Sequence, residues 1–339
     1  MVPRPGQPES RIQTHHSSVS TPTWRRMAAL PKLLDKSNIK HFLDSFDTVL
    51  TDCDGVLWNG DYIIGEANDA LNQLRALGKK VFFITNNSTK SRDTYLAKFE
   101  HLDIIASKEE IVSSSYVMAR YLKQQNFNKK VYVVGNKGMS DELDNVGIAH
   151  MGVEPDPLVG CVFHLKDIKD VVELDPEVGA VAVGFDGTFS FPKILRAASY
   201  LNKPGCLFIA TNTDERFPIQ NSKLIFPGTG CMVRCVETVA MRPPIIMGKP
   251  SKMMFSVISE QHQLQPSRTI MIGDNCKTDI VFGKNCGLHT MMVLSGITQM
   301  KELEEYAANQ DEEKHKRLAD YYLPQLEDLI PLLNDENCK

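Results

Sequence analysis

The sequence predicts an α/β protein with a parallel-sheet core and a second, large α/β unit inserted into it. Three observations predict this. Strand-like segments are continuous apolar runs that alternate with helical segments, as in sheets buried on both faces. Four of those runs end on a reactive polar residue: "TVLTD" at Asp52, "VFFIT" at Thr85, "PIIMGK" at Lys249 and "TIMIGD" at Asp274. About 160 residues separate Thr85 from Lys249, far more than one strand crossover needs.

Taken in order, residues 1–31 differ from the rest. They are rich in Pro, Ser, Thr and Arg and poor in acids, which predicts a disordered extension. Such a composition also fits a mitochondrial presequence, but the prolines work against an amphipathic helix, and a cytoplasmic location is expected. A helix is expected over Lys32 to Leu43, followed by the strand "FDTVLTD". A helix near Asn68 to Leu77 stops at Gly78. The strand "KKVFFITNNS" precedes helices over Ser91 to Phe99 and Lys108 to Gln125. Strand-like runs return at "KKVYVVG", "CVFHL", "VGAVAVGFD" and "CLFIATNTD". "GCMVRCVETVAM" reads as a helix in which Cys231 and Cys235 sit one turn apart, at packing positions. Then come "PPIIMGKPS", a helix near Met253 to His262, "SRTIMIGDN", a helix near Thr278 to Asn285, "HTMMVLSG" and a closing "DYYLPQLEDLIPLL".

Charge and cysteine usage narrow the function classes. The chain has 339 residues, 38 basic and 42 acidic, for a net charge of −4. Nothing in that balance suggests a nucleic-acid or membrane surface, and neither partner is expected. No apolar run reaches the roughly 18 residues a membrane helix needs. The eight cysteines form no CxxC pair and no zinc-like spacing with His, so free thiols in a reducing compartment are expected.

In open parallel sheets, ligands bind at the carboxyl ends of the strands. The four polar strand ends are therefore expected to converge on one crevice. In "TDCDG", strand alternation turns Asp52 and Asp54 to one side and Cys53 to the other. Gly55 permits a sharp turn and close backbone approach to a ligand. One carboxylate can attack phosphorus to form an aspartyl-phosphate. The other can protonate the leaving oxygen and then activate water. Asp274 can complete a hard oxygen site of the kind Mg²⁺ prefers. Lys249 supplies a fixed charge for the phosphoryl oxygens, and Thr85 can donate to the same oxygens. Asp279, five residues on, can hold a metal-bound water or favour a helix dipole. No Arg follows Cys53 at the spacing of a cysteine phosphatase loop, so Cys53 is expected to pack beneath the site.

D-x-D-G-V (Asp52 to Val56), T-N-N-S (Thr85 to Ser88), G-K-P (Gly248 to Pro250) and G-D-x-x-x-T-D-I (Gly273 to Ile280) resemble the four motifs of the haloacid dehalogenase superfamily of phosphatases. Order and spacing agree, over about Asp47 to Leu333. The sequence is most similar to the branch with a large C2-type cap between the second and third motifs, which holds phosphoglycolate and pyridoxal phosphate phosphatases. The resemblance implies a Rossmann-like parallel-sheet core from residues 32–126 and 244–336, with an α/β cap over 127–243. It implies Asp52 as nucleophile and Asp54 as general acid/base. Mg²⁺ would be held by the Asp52 carboxylate, the Asp54 carbonyl and Asp274, with Asp279 behind. Thr85 and Lys249 would hold the phosphoryl group, and Asn86 and Asn87 would line the site. It also implies a homodimer formed through the cap.

The cap segment "ATNTDERFP" (Ala210 to Pro218) resembles the N-x-D-x-R pattern of the phosphoglycolate branch. Asp214, Arg216 and Phe217 are therefore candidate substrate-binding residues, and Arg216 can pair with a substrate carboxylate in a two-pronged hydrogen bond. The expected substrate is a small phosphorylated metabolite, 2-phosphoglycolate or glycerol 3-phosphate. Two departures stand out: Asn275 where the family has Arg, and Thr188 in "GFDGTFSF" where it has His. A pyridoxal phosphate or phosphotyrosine phosphatase is the alternative enzyme. A catalytically idle binding protein is the alternative of another class. Against the latter, two close carboxylates repel each other and have little physical reason to persist without use.

Overall fold

A computed structural model of the chain describes residues 28–156, 172–217 and 223–334. The expected extension falls mostly outside them, as does the run "CVFHL". The first strands are β1 (Lys32–Leu33), β2 (Thr48–Thr51), β3 (Trp58–Asn59), β4 (Tyr62–Ile63), β5 (Lys80–Thr85), β6 (Ile111–Ser113) and β7 (Lys130–Val134). There follow β8 (His150–Met151), β9 (Val178–Val183), β10 (Leu207–Ala210), β11 (Ile245–Ile246), β12 (Thr269–Gly273), β13 (His289–Val293) and β14 (Tyr321–Leu323). Seven strands form one parallel sheet in the order β1-β14-β13-β12-β2-β5-β6, and five form a second in the order β11-β10-β9-β7-β8. β3 and β4 make a small antiparallel ribbon after the "TDCDG" turn.

The expected α/β architecture with an inserted α/β unit is what the chain adopts. Strand alternation sorts the large sheet's apolar residues onto two faces. Val49, Val81, Phe83, Ile270 and Ile272 pack on one side with Phe42, Leu71, Leu74 and Phe99. Leu50, Phe82, Ile84 and Met271 pack on the other with Val117, Leu122, Met254 and Phe282. That second cluster does not stop at the large sheet. It continues through Val131, Val133, Ala180, Ala182 and Ile209 of the five-stranded sheet. The far face of the small sheet buries Tyr132, Val181, Val183 and Phe208 against Tyr200, Val233 and Val236. These last three lie on helices Phe191–Leu201 and Thr229–Ala240. Among the described residues, no helix is long and apolar enough to cross a membrane.

Three expected elements differ. The helix over Lys32 to Leu43 is an edge strand, β1, followed by a short helix, Ile39–Asp44. Lys32 N–H and Leu34 N–H bond the carbonyls of Asp320 and Tyr322, so a pairing remote in sequence overrides local helix preference. The single helix over Lys108 to Gln125 is divided: one 3₁₀ turn, then β6, then helix Ser114–Gln124. The β-branched Ile111 and Val112 complete the sheet edge beside β5, and the Ser113 hydroxyl caps the helix by accepting from Tyr116 N–H at 3.2 Å. The helix near Thr278 begins as a wide turn, Cys276–Ile280, before helix Val281–Cys286. Cys231 and Cys235 are exposed rather than packed.

Candidate active site

A cleft of about 540 Å³ opens where the two sheets meet. Asp52, Asp54, Thr85, Asn86, Asn87, Asp214, Arg216, Phe217, Lys249 and Asp274 all line it. Three of the four expected strand ends, β2, β5 and β12, belong to the seven-stranded sheet and lie side by side in it. The fourth does not. The strand before Lys249, β11, pairs with β10 in the small sheet. Lys249 thus reaches the site from the inserted unit's side, and its own sequence motif carries no sign of which sheet holds it.

The local reason for the placement of Asp52 and Asp54 also differs from the expected alternation. β2 ends at Thr51, and the chain then folds into a turn. The Cys53 carbonyl accepts N–H bonds from Leu57 at 2.8 Å and Trp58 at 3.2 Å. Gly55 has φ +84°, and a Cβ there would overlap the Asp274 carboxylate. Both its backbone freedom and its missing side chain are required. Cys53 is fully buried in the apolar cluster beneath, and burial first, then the charges of Asp52 and Asp54, push its thiol well up. It is a packing residue, held neutral.

The charged floor of the cleft is one connected system. Lys249 Nζ lies 2.9 Å from Asp52 Oδ1 and 2.7 Å from Asp279 Oδ1, and donates to Ile84 O at 3.1 Å. Asp52 Oδ1 also accepts from Cys53 N–H at 2.8 Å, so both contacts of Asp52 fall on one oxygen. Asp279 Oδ2 accepts from Asn275 N–H at 3.0 Å, which commits both Asp279 oxygens to the protein. Asp274 Oδ2 accepts from Ile297 N–H at 2.8 Å. Asp54 Oδ1 accepts from Trp58 Nε1 at 2.9 Å. Thr85 Oγ1 accepts from Asn87 N–H at 3.0 Å.

Three buried acids face one lysine. Burial raises Asp52 well above the usual carboxylate range; Lys249 opposes this, and Asp279 and Asp274 add to it. Burial and then Asp279 lift Asp274 to about 7. Burial alone would lower Lys249, but Asp279 and Asp52 outweigh it, so its ammonium is retained. Carboxylate oxygens of Asp52, Asp274 and Asp279 all lie within 4.8 Å of one another. Such a donor set, all hard oxygen and short of positive charge, fits a divalent cation such as Mg²⁺. With Asp279 spent on Lys249 and Asn275, Asp52 and Asp274 are the acids left to hold it.

The walls bring residues that sequence reasoning missed. Phe185 lines the cleft and packs against Phe217, with ring centres 5.4 Å apart and planes tilted by 55°. Ile297, Thr298 and Glu302 line it from beyond β13. The carboxyl-end rule, applied to β13 as well, would have found the first two; Phe185 also lies just past the end of its strand, β9, but as an apolar side chain it carries no chemical signal of its own. Asp279 sits behind Lys249 rather than at the cleft surface, and Gly55 sits behind Asp274.

Residues 49–149 match the family model described as haloacid dehalogenase-like hydrolase, and 246–328 a second one described as HAD-hydrolase-like. The chain is 39% identical over 310 residues to human glycerol-3-phosphate phosphatase, covering 88% of this chain and 95% of that one. It is 38% identical over 307 residues to phosphoglycolate phosphatase 2 of Arabidopsis thaliana, covering 89% and 98%. Among solved structures it is similar to p-nitrophenyl phosphatase from Archaeoglobus fulgidus, with TM-score 0.70 and 26% identity over 85% of this chain and 99% of that one. It is also similar to a glycerol phosphate phosphatase from Mycobacterium tuberculosis in complex with calcium, with TM-score 0.66 and 25% identity over 85% and 75%.

Proposed function

The chain belongs to the haloacid dehalogenase-like hydrolases, and on that premise we propose that it is a Mg²⁺-dependent phosphomonoesterase working through an aspartyl-phosphate. The observation that carries this is the Asp52–Lys249–Asp279 chain on the floor of a cleft that Asp54 and Asp274 also line. Asp52 Oδ2, which neither Lys249 nor Cys53 engages, attacks phosphorus, and the P–O bond to the leaving group breaks. Asp54, steadied by Trp58, gives its proton to the leaving oxygen and later takes one from the water that cleaves the acyl-phosphate. Lys249 and Thr85 hold the phosphoryl oxygens, with Asn86 and Asn87 beside them. A bound Mg²⁺, held by Asp52, Asp274 and the Asp54 carbonyl, would neutralise the phosphoryl charge. Divalent-ion use is supported by the acid-rich donor set and by the calcium complex of the mycobacterial relative.

The inserted unit, residues 127–243, acts as the cap that closes the cleft and selects the substrate. A small ester, 2-phosphoglycolate or glycerol 3-phosphate, is favoured by the names of the relatives, and Arg216 on the cap side of the cleft suits the carboxylate of the former. The paired Phe185 and Phe217 rings on the cleft wall favour a second reading, an aromatic ester such as pyridoxal phosphate. Values of kcat/KM at fixed Mg²⁺ for these three compounds and a phosphotyrosine peptide decide between them. Preference for either small ester supports the first reading; preference for pyridoxal phosphate or the peptide overturns it.

A homodimer through the cap is supported by exposed Leu224, Ile225, Val239 and Met241 in the inserted unit. Light scattering of the purified chain tests it, a monomer at micromolar concentration being the contrary result. The free thiols among the described residues support a reducing, cytoplasmic location.

A further inference from the structure

Asn86 ties three segments together. Its Oδ1 accepts from Lys249 N–H at 2.8 Å and its Nδ2 donates to Lys249 O at 3.0 Å. One side-chain amide thereby clamps both main-chain groups of Lys249. Nδ2 also donates to Asp214, 3.2 Å from Oδ1 and 3.1 Å from Oδ2. With two protons and two kinds of partner, the Asn86 amide has no donor left for a ligand.

The loop that carries Asp214 grips Asn86 a second time. Asn212 Nδ2 donates to Asn86 O at 2.8 Å, and Asn212 Oδ1 accepts from Asp214 N–H at 3.1 Å. Asp214 O in turn accepts from Gly230 N–H at 2.8 Å, at the start of helix Thr229–Ala240. The fit is close: a Cβ on Gly248 would come within 2.5 Å of Asn86 Oδ1 and 2.6 Å of Thr211 O. Asp214 immediately precedes Glu215, Arg216 and Phe217, which line the cleft.

We propose that Asp214 is a positioning residue: through Asn86 it fixes the main chain of Lys249, so that the seating of the Arg216 loop sets where the phosphate-holding ammonium stands. This goes beyond a substrate contact for Asp214 and rests on the phosphatase reading of the site. The carboxylate acts as a hydrogen-bond acceptor for Asn86. Its loss frees the amide to turn, and Lys249 loses its register against Asp52 and Asp279.

The test uses p-nitrophenyl phosphate, whose leaving group offers Arg216 no carboxylate. Asp214→Ala removes the acceptor; Asp214→Asn keeps one acceptor oxygen and the same shape. Misplacement of a positioned catalytic group by about 1 Å costs about a hundredfold, so Asp214→Ala is expected to lower kcat tenfold to a hundredfold. KM is expected to stay within about threefold, and Asp214→Asn to recover most of the kcat. A wild-type kcat in Asp214→Ala overturns the proposal. So does an equal loss in both variants, which would make the charge and not the acceptor the cause. A rise confined to KM for 2-phosphoglycolate would make Asp214 a substrate contact and overturns it too. Failure of the wild-type chain to hydrolyse p-nitrophenyl phosphate is a separate result, against the phosphatase reading itself.

Discussion

Lys249 Nζ stands between two carboxylates, 2.9 Å from Asp52 and 2.7 Å from Asp279, with its side chain about 1% exposed. Removing one member of such a group leaves the others charged without a partner, which costs about 3–5 kcal/mol. Lys249→Met is therefore expected to lower the melting temperature by several degrees and kcat by at least about a hundredfold. Lys249→Arg is expected not to restore activity, because a fixed planar fork does not fit where a compact ammonium is enclosed. Activity within a few-fold of wild type in either variant would contradict this.

Asp52 is expected to be indispensable. Asp52→Asn keeps the shape but not the attacking oxygen, and should leave no measurable turnover of p-nitrophenyl phosphate. Trapping of a phosphorylated chain in wild type but not in the variant is the independent check. Turnover in Asp52→Asn would sink the aspartyl-phosphate route.

Divalent metal should act on stability as well as on rate. Three acids crowd within 4.8 Å, and a cation that binds the folded chain alone stabilises it, by about 2.7 kcal/mol at one hundred times Kd. Millimolar Mg²⁺ is expected to raise the melting temperature of the EDTA-treated chain, and Asp274→Asn to remove most of that rise. An EDTA-treated chain that hydrolyses at full rate would be evidence against any metal requirement.

Gly55 tolerates no side chain. Its φ of +84° disfavours alanine, and the added carbon would displace Asp274. Gly55→Ala is expected to cost about 1–3 kcal/mol and to weaken Mg²⁺ binding, read as a shift in the Mg²⁺ concentration for half-maximal activity. An unchanged Mg²⁺ requirement would show that Asp274 does not depend on the glycine.

Asp214 predicts a pH dependence of stability. Burial lifts its carboxyl from 3.8 to about 6, against the lowering effects of Asn86 and Lys249. Between those values the folded chain keeps a proton that the unfolded chain has released. This contribution is fully present below 3.8, is lost as pH rises through about 6, and leaves a cost at neutral pH. Asp214→Asn is expected to be more stable than wild type at pH 7.5 by about 1–2 kcal/mol, allowing for partial solvent access. The gain should shrink towards pH 4. A gain that grows on acidification would reverse the sign and refute the assignment.

Much of the site was legible in the sequence because strand ends in parallel sheets are chemically exposed positions. Asp52, Thr85 and Asp274 declare themselves as polar residues stopping apolar runs, and the structure sets all three on one cleft. What was not legible depends on partners distant along the chain. β1 is a strand only because β14 lies beside it, and β6 only because β5 does. Lys249 reads like the end of a core strand, yet two residues of pairing with β10 assign β11 to the other sheet. Phe185 becomes part of the cleft wall only when Phe217 folds against it.

The pairing of β11 with β10 limits how far the molecule can be treated as separable modules. A protein engineer who replaced the inserted unit with a foreign one would also remove the strand that aligns the segment leading to Lys249. The apolar cluster running from Leu50 to Ile209 would be cut open by the same graft. On the proposed reading, selectivity and turnover meet at one splice junction, and any chimera must inherit the Ile245–Ile246 seam along with the fold it borrows.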